Sequence, residues 1–155
     1  MTHEEFMKRA IELSKENVNN GGGPFGAVIV KEGEIVGEGV NSVSTQTDPT
    51  AHAEVVAIRN ATKNLNTFNL SGCIIYTSCE PCPMCLGAIY WAHISRMFYG
   101  NTKDDAAKVG FNDKFIYDEL DRPLDKRTVP AINLMKDEAG VAFKMWDDKS
   151  DKIEY

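Results

Sequence analysis

Three cysteines stand at intervals of three residues in the stretch YTSCEPCPMCLGAIYWA, which covers residues 76–92. Pro81 lies between the first two of them and suits the first turn of a helix that follows. Cys82 and Cys85 are three apart at the start of that helix, so both thiols lie on one face. A helix N-terminus favours the thiolate form of cysteine. The fold must therefore place two adjacent thiolates, Cys82 and Cys85, at one helix N-terminus.

A second stretch, DPTAHAEVVAI at residues 48–58, supplies a histidine and a glutamate two residues apart. Helix-forming residues begin near Ala51, and DPT just upstream favours a helix start there. Side chains two apart point to different sides of a regular helix. His52 and Glu54 can therefore approach one metal only if both lie in the first turn. H-x-E followed about thirty residues later by P-C-x-x-C resembles the signature of zinc deaminases.

Together with the two cysteines, His52 gives a metal three protein ligands. A structural zinc site is normally closed by four ligands, whereas a catalytic zinc leaves one position for water. Bound water then has a pKa of about 7, which provides hydroxide at neutral pH. Glu54 is the residue placed to move protons beside it. We therefore predict one zinc ion per chain, held by His52, Cys82 and Cys85, with Glu54 as the catalytic acid and base.

Two other metal sites fit the cysteine spacing. Cys79 could join the three ligands in a closed structural site of three cysteines and one histidine, which would leave Glu54 as an ordinary surface residue. An iron–sulfur run would need a fourth cysteine, but position 89 is Ile. The open site is preferred because a closed one makes the H-x-E spacing a coincidence. Cys73 and Cys79 are then small buried thiols.

Composition narrows the class of protein. The chain has 155 residues, 43% of them hydrophobic and 26% charged, which suits one globular domain over 1–155. No signal core or membrane-length apolar run is present, so we expect the cytoplasm and no membrane partner. A net charge of −6 argues against a phosphate-backbone partner, because binding to nucleic acid depends on releasing counterions from phosphates. We expect a small substrate and no nucleic acid.

Helical and strand patterns alternate along the chain. Thr2 and Glu5 form a capping-box pattern at the start of a first helix, which NNGGG closes. Two strands at 25–31 and 34–41 are expected to form a hairpin, followed by a helix at 51–64. A strand at 73–78, a helix that ends near residue 92 and a strand at SRMFYG come next. A last strand at AINLM and an amphipathic tail helix docked on the protein complete the chain. This order predicts a three-layer α/β/α fold with a mixed central sheet of about five strands.

Five segments of the sequence resemble one superfamily over nearly the whole length. They are GGPFGAVIVK, DPTAHAEVVAIR, YTSCEPCPMCLGAIYWA, VGFNDKFIY and the final EY. The chain resembles the cytidine deaminase-like superfamily and, within it, the short bacterial guanine deaminases. The resemblance implies hydrolysis of guanine to xanthine and ammonia by one zinc ion per chain. It also implies a homodimer, with exchange of the C-terminal segment as one arrangement.

The same resemblance implies roles for residues outside the zinc motif. Asp113 would take part in proton transfer beside Glu54. The purine would be bound by the Asn41 amide, by the aromatic side chains of Phe25 and Trp91, by Ala53 and by the terminal Tyr155, which would close the pocket.

All of these residues except Ala53 also have a structural interpretation. Asn41 could end a strand in a turn, and Phe25 could belong to the core. Trp91 could pack on its own helix, and Asp113 could interact with a helix dipole. The end of the chain around Tyr155 could be frayed.

Three alternative functions remain open from the sequence. A cytosine deaminase would share the zinc motif. A tRNA adenosine deaminase would need a basic track, whereas DDAAKVGFNDKFIYDELDRPLD is acidic. A zinc-stabilised binding protein without turnover would need no proton carrier at Glu54.

Overall fold

All 155 residues are described by the computed structural model, in which the chain forms two units, Met1–Tyr117 and Asp118–Tyr155. The strands are β1 (Gly26–Lys31), β2 (Glu34–Val40), β3 (Cys73–Cys79) and β4 (Arg96–Asn101). The helices are α1 (His3–Asn19), α2 (Val43–Gln46), α3 (Ala53–Leu65), α4 (Pro83–Trp91), α5 (Lys103–Lys108), α6 (Asp113–Leu120) and α7 (Lys136–Asp148), with a 3-10 turn at Leu124–Lys126. No helix combines the length and the apolar character needed to cross a membrane.

The four strands form one mixed sheet in the order β2-β1-β3-β4. Strand β1 is antiparallel to both β2 and β3, and β3 is parallel to β4. The predicted mixed α/β fold is thus confirmed, with four strands where about five were expected. The predicted strand AINLM is wrong, because residues 131–135 adopt no regular structure. A strand requires a neighbouring strand to bond, and the second unit contains no other.

Helix α1 covers one face of the sheet. Its start is fixed by a capping box in which Glu5 N donates to Thr2 Oγ1 at 3.2 Å and Thr2 N donates to Glu5 Oε2 at 2.6 Å. Its buried stripe, with Phe6 among it, packs on Val28, Val30 and Tyr76 of the sheet. This face carries no part of the predicted site.

Helix α3 packs on the opposite face. Its alanines, including Ala57 and Ala61, join Ile29 and Ile75 in the larger core cluster. Gly37 of β2 lets the helix come close, since a Cβ there would lie 2.6 Å from the Ala57 carbonyl oxygen. The close approach fixes the position of α3 relative to the end of β2.

The register of the strands brings distant segments to one edge of the sheet. Gly26 pairs with Val40, Ala27 with Thr77, and Cys79 with Asn101. The start of β1 therefore lies beside the ends of β2, β3 and β4. The loops that follow β2 and β3 lead to the N-termini of α3 and α4. Both halves of the metal motif thus face the same edge.

The second unit contains α7, which confirms the predicted tail helix. Its expected burial is not observed, because Phe143 is 82% exposed and Val141 and Met145 are also exposed. The apolar segment before it is exposed as well, with Ile132 at 88% and Leu134 at 80%. The prediction of one domain over 1–155 stays a prediction.

Candidate metal centre and active site

The two halves of the metal motif meet at two helix N-termini. His52 is the residue that caps α3, and Cys82 caps α4, each with extended backbone angles. Cys85 follows in the first turn of α4. The His52 Nδ1 atom lies 3.5 Å from the sulfur of Cys82 and 3.5 Å from that of Cys85. The three donor atoms all lie within 4.8 Å of one another.

These spacings fit zinc. A tetrahedral ion with Zn–S near 2.3 Å and Zn–N near 2.0–2.1 Å places its sulfur and nitrogen ligands about 3.5 Å apart. The observed nitrogen–sulfur distances of 3.5 Å match that value. One imidazole and two thiolates are also a ligand set that zinc sites commonly use. The donor set and these distances therefore fit one zinc ion.

Cys79 is placed differently from the other two cysteines of its run. It is the last residue of β3, and its thiol donates a weak hydrogen bond to the Thr102 carbonyl at 3.7 Å. Burial raises the pKa of the Cys79 thiol to about 11, which opposes the thiolate that a metal needs. The group of mutually close metal donors does not include it. The geometry favours three protein ligands over four.

The start of α3 explains how His52 and Glu54 approach one point. We expected the helix near Ala51, and it begins at Ala53 with His52 as its cap. The imidazole thus lies just outside the helix, and the carboxyl lies in the first turn. Both side chains line the same cavity. The two-residue spacing therefore presents no obstacle.

Glu54 is a buried carboxyl, with only 6% of its surface exposed. Loss of hydration raises the pKa of this carboxyl above its ordinary value, against smaller effects from its own backbone N–H and from Cys85 that lower it. A carboxyl in this environment exchanges a proton closer to neutral pH than an exposed one does. That property suits a residue that both accepts and donates protons.

Hydrogen bonds among Cys82, Cys85 and His52 shift the pKa values of all three side chains. A hydrogen bond from Cys85 is the main reason that the pKa of Cys82 falls to about 4. The same bond raises the pKa of Cys85, which stays a thiol. The bond to Cys82 likewise raises the pKa of His52. A zinc ion replaces the remaining protons, so its binding depends on pH.

A cavity of about 430 Å³ opens beside the three donor atoms. Phe25, Asn41 and Asp113 line it together with Phe111 and Glu80. The Phe25 and Phe111 rings meet edge to face with centroids 4.9 Å apart, which forms a rigid aromatic corner. Three of the predicted substrate or catalytic residues are thus brought to the metal site.

Asn41 follows β2, and hydrogen bonds to its backbone and to its side-chain oxygen hold it in place. Its N–H donates to the Phe25 carbonyl at 3.2 Å, and its side-chain oxygen accepts from Val43 N at 3.3 Å. The Asn17 amide donates to the carbonyl oxygens of both Asn41 (2.9 Å) and Gly23 (2.8 Å). Nothing in the sequence pattern of α1 singles out Asn17, so the sequence analysis missed it.

Asp113 is the first residue of α6 and is partly buried. Loss of hydration raises the pKa of its carboxyl, and the charge on Cys82 raises it further. Tyr117, in the same helix, donates its hydroxyl to the Pro81 carbonyl at 2.8 Å. Glu80, Phe111 and Tyr117 were missed, although the motifs SCEPC and GFNDKFIY contain them.

Two residues predicted to bind the substrate do not line this cavity, and a third belongs to the second unit. Ala53 is fully buried in the core cluster under α3. Trp91 ends α4 and is 67% exposed, away from the cavity lining. Tyr155 belongs to the second unit. Their substrate roles stay predictions.

Two helix N-termini that present an imidazole and two thiols beside a buried carboxyl define a zinc-dependent deaminase site on this α/β/α fold. The family model of the cytidine and deoxycytidylate deaminase zinc-binding region matches residues 1–101. The chain belongs to this family, and zinc is its metal. The resemblance inferred from the sequence motifs is confirmed.

Individual relatives narrow the comparison. The chain is 55% identical to guanine deaminase of Bacillus subtilis over 156 residues, which covers 100% of both chains. The crystal structure of that protein superposes with a TM-score of 0.97 and covers 100% of this chain and 99% of its own. A guanine deaminase from Nitrosomonas europaea is 32% identical with a TM-score of 0.70, over 72% of this chain and 65% of its own. The tRNA-specific adenosine deaminase of Aquifex aeolicus is 44% identical over 64% of this chain and 66% of its own.

Proposed function

We propose that this protein is a zinc-dependent guanine deaminase that converts guanine and water to xanthine and ammonia. The observation that carries the proposal is the three-ligand site with the buried Glu54 carboxyl on the same cavity. Similarity to the Bacillus subtilis guanine deaminase over the full length of both chains supports the choice of base. The tRNA-specific deaminase from Aquifex aeolicus matches only 64% of the chain.

The chemistry requires a nucleophile at C2 of guanine and two proton transfers. When bound, zinc supplies a Lewis acid that lowers the pKa of a coordinated water to about 7. Glu54 would accept a proton from the attacking water, whose oxygen bonds to C2, and donate that proton to the ring nitrogen beside C2. It then moves the remaining hydroxyl proton to the exocyclic amine, which leaves as ammonia. The C2 oxygen becomes the carbonyl of xanthine, so atoms and protons balance.

The cavity wall holds the base during these transfers. The aromatic corner of Phe25 and Phe111 gives a flat base a surface on which to lie. The Asn41 side-chain oxygen is engaged by Val43 N, which orients the amide and directs its N–H groups at an acceptor on the base. Loss of hydration raises the pKa of the Asp113 carboxyl, which suits a second proton carrier that assists Glu54.

A substrate panel tests the proposed function. The zinc-loaded protein is incubated separately with guanine, cytosine, adenine and adenosine-containing tRNA, and released ammonia is measured. We expect ammonia from guanine, and none from tRNA because the chain's net charge is −6. If ammonia is released only from cytosine or only from tRNA, that compound and not guanine is the substrate. A protein that binds zinc and releases no ammonia from any of them would be a zinc-stabilised binding protein.

We further propose a homodimer in which the C-terminal segments are exchanged. The support is the exposure of large apolar side chains in the second unit, among them Ile132, Leu134 and Phe143. So many large apolar side chains in one short segment are rarely left in water, and exchange of identical elements would cover them in both copies. Light scattering should give about twice the 17.2 kDa mass of one chain. A monomeric mass would overturn the dimer.

A complementation experiment separates exchange from packing within one chain. A chain lacking residues 152–155 is coexpressed with full-length Glu54→Gln, which keeps its Tyr155. If the tail completes the partner's pocket, the mixed dimer has one complete site and regains guanine deamination. If the tail acts in its own subunit, the mixture is no more active than the truncated chain alone.

The cytoplasm is the compartment that we propose for the protein. All four cysteines are free and buried, and the metal site requires two of them as thiolates. Reducing conditions preserve those ligands. Activity recovered in a cell fraction other than the cytoplasm would contradict the assignment.

A further inference from the structure

Helix α6 is tied to the segment that carries a metal ligand. The Tyr117 hydroxyl donates to the Pro81 carbonyl oxygen at 2.8 Å in a partly buried setting. Pro81 is fully buried and immediately precedes the ligand Cys82. A hydrogen bond at this point acts on the backbone from which the Cys82 sulfur is presented. Tyr117 is therefore linked to the metal ligand Cys82 through a single intervening residue, Pro81.

Tyr117 also shares a helix face with Asp113. The two residues are four apart in α6, a spacing that puts side chains side by side on one helix surface. Asp113 lines the cavity beside His52 and Cys82. The face of α6 that carries the carboxyl is thus the same face that is bonded to the ligand segment.

The ligand segment itself is held independently of α6. Glu80 N donates to the Asn101 carbonyl at 2.7 Å, and Lys103 N donates to Glu80 Oε1 at 3.1 Å. The Lys103 ammonium lies 3.8 Å from Glu80 Oε2 and 4.7 Å from the centre of the Tyr117 ring. Three contacts from β4 and α5 therefore fix the backbone around Glu80. Tyr117 of α6 makes two contacts here, its ring with Lys103 and its hydroxyl with the Pro81 carbonyl, and the hydroxyl is the one that bonds to the ligand segment.

The start of α6 has only local support of its own. Asn112 Oδ1 accepts from Phe115 N at 3.3 Å, which caps the helix but joins it to nothing else. Loss of the Tyr117 hydroxyl would leave the ligand segment in place and remove the direct hydrogen bond between it and α6, so that α6 can shift relative to the metal site. A displacement of about 1 Å between reacting groups lowers turnover by about a hundred-fold.

We propose that Tyr117 is a positioning residue whose hydroxyl sets the distance between the Asp113 carboxyl and the metal site. The inference rests on the proposed function, since it assigns Asp113 a proton transfer in base deamination. Tyr117 acts through Asp113 and does not touch the substrate.

The test uses Tyr117→Phe in the zinc-loaded, full-length protein. This change removes one oxygen and keeps the ring under Lys103. We expect kcat on guanine to fall about ten- to a hundred-fold, with KM within about two-fold and one zinc per chain retained. A kcat equal to that of the parent would overturn the proposal.

Two further measurements separate positioning from general stability. Tyr76→Phe is the matched control, because it removes a hydroxyl that bonds to His3 Nδ1 at 2.6 Å on the α1 face of the sheet. That variant should lose thermal stability and keep its kcat. In an Asp113→Asn background, Tyr117→Phe should cause no further loss of kcat, because the two changes remove the same step. Equal kcat losses in both tyrosine variants, or full additivity with Asp113→Asn, would overturn the proposal.

A readout without turnover keeps the inference distinct from the choice of substrate. Amide hydrogen exchange should quicken over residues 113–117 in Tyr117→Phe and stay unchanged at the start of α4. Unchanged exchange in α6 would overturn the positioning role whatever base is deaminated. Parent protein that is inactive on guanine, with quickened α6 exchange in the variant, would reject guanine and keep the positioning role.

Discussion

The metal side and the base-facing wall of the cavity are built by different means. The metal side consists of His52, Glu54, Cys82 and Cys85, all at the first turns of two helices and nearly all buried. The wall takes Phe25, Asn41, and Phe111 with Asp113 from three separate segments, and each residue is partly or largely exposed.

The difference predicts two kinds of mutational response. Helix ends supported by the core hold the metal side, so changes there should remove the chemistry and leave the fold. A few hydrogen bonds and one aromatic contact hold the wall, so changes there should be graded and should differ between substrates.

The largest effect is expected when a metal ligand is lost. Cys85→Ser should abolish measurable activity and bind much less zinc, because two ligands remain where the site needs three. Cys79→Ser is the control, since its thiol bonds to the Thr102 carbonyl and not to the metal donors. It should retain one zinc per chain and most of its activity, as metal analysis of the purified proteins will show. Loss of zinc from the Cys79 variant would establish a closed, four-ligand site.

The proton carrier comes next. Glu54→Gln keeps the shape of a buried side chain and removes its ability to exchange protons. Turnover of guanine should fall by about a hundred- to ten-thousand-fold, the range for general acid–base catalysis. Zinc content and the circular dichroism spectrum should match those of the parent. Near-normal turnover in this variant would remove the proposed mechanism.

On the wall, Asn41 should have a smaller and selective effect. Asn41→Ala removes a polar side chain that lines the cavity, and losses of about 1–3 kcal/mol correspond to about five- to a hundred-and-fifty-fold in kcat/KM. The loss should be greater for guanine than for a purine that lacks the matching acceptor, with zinc unchanged. An equal loss on every purine that is turned over would give Asn41 a structural role only.

The sequence predicts the metal side better than the wall for a physical reason. Spacing within one helix turn decides that Cys82 and Cys85 meet, and the H-x-E pattern needs only a helix start to place His52 and Glu54. The wall depends on the register of the sheet and on hydrogen bonds between distant segments. Tyr117 reaches Pro81 across thirty-six positions of the chain, which no local pattern indicates.

The one wrong strand has the same origin. Residues 131–135 are mostly apolar, as a buried strand would be, but an apolar run cannot say whether a partner strand is available. The exposed apolar side chains of the second unit were predicted as a buried helix face for a related reason. A hydrophobic pattern identifies a face that needs cover and does not identify what covers it.

The smallest effect is expected at Asn17, which supports the wall from behind. Its amide bonds to the backbone carbonyls of Gly23 and Asn41, two residues that line the cavity. Asn64 makes the same kind of bond, at 2.8 Å, to the carbonyl of Val36. Val36 lies in β2, the strand that Asn41 follows, but does not line the cavity. The two asparagines thus differ in what they hold more than in how they hold it.

Replacing each asparagine by alanine separates support of the wall from support of the fold. Each variant should lose about 1 kcal/mol of unfolding free energy, or up to about 2 for Asn17 because it makes two bonds, as measured by urea denaturation. Only Asn17→Ala should raise KM for guanine, by about three-fold, with kcat and zinc unchanged, since about 0.6 kcal/mol of binding is lost when Asn41 is held less firmly. Asn64→Ala should keep the parent's KM. If both variants raise KM equally, β2 acts as one rigid body, and the wall is no more adjustable than the metal side.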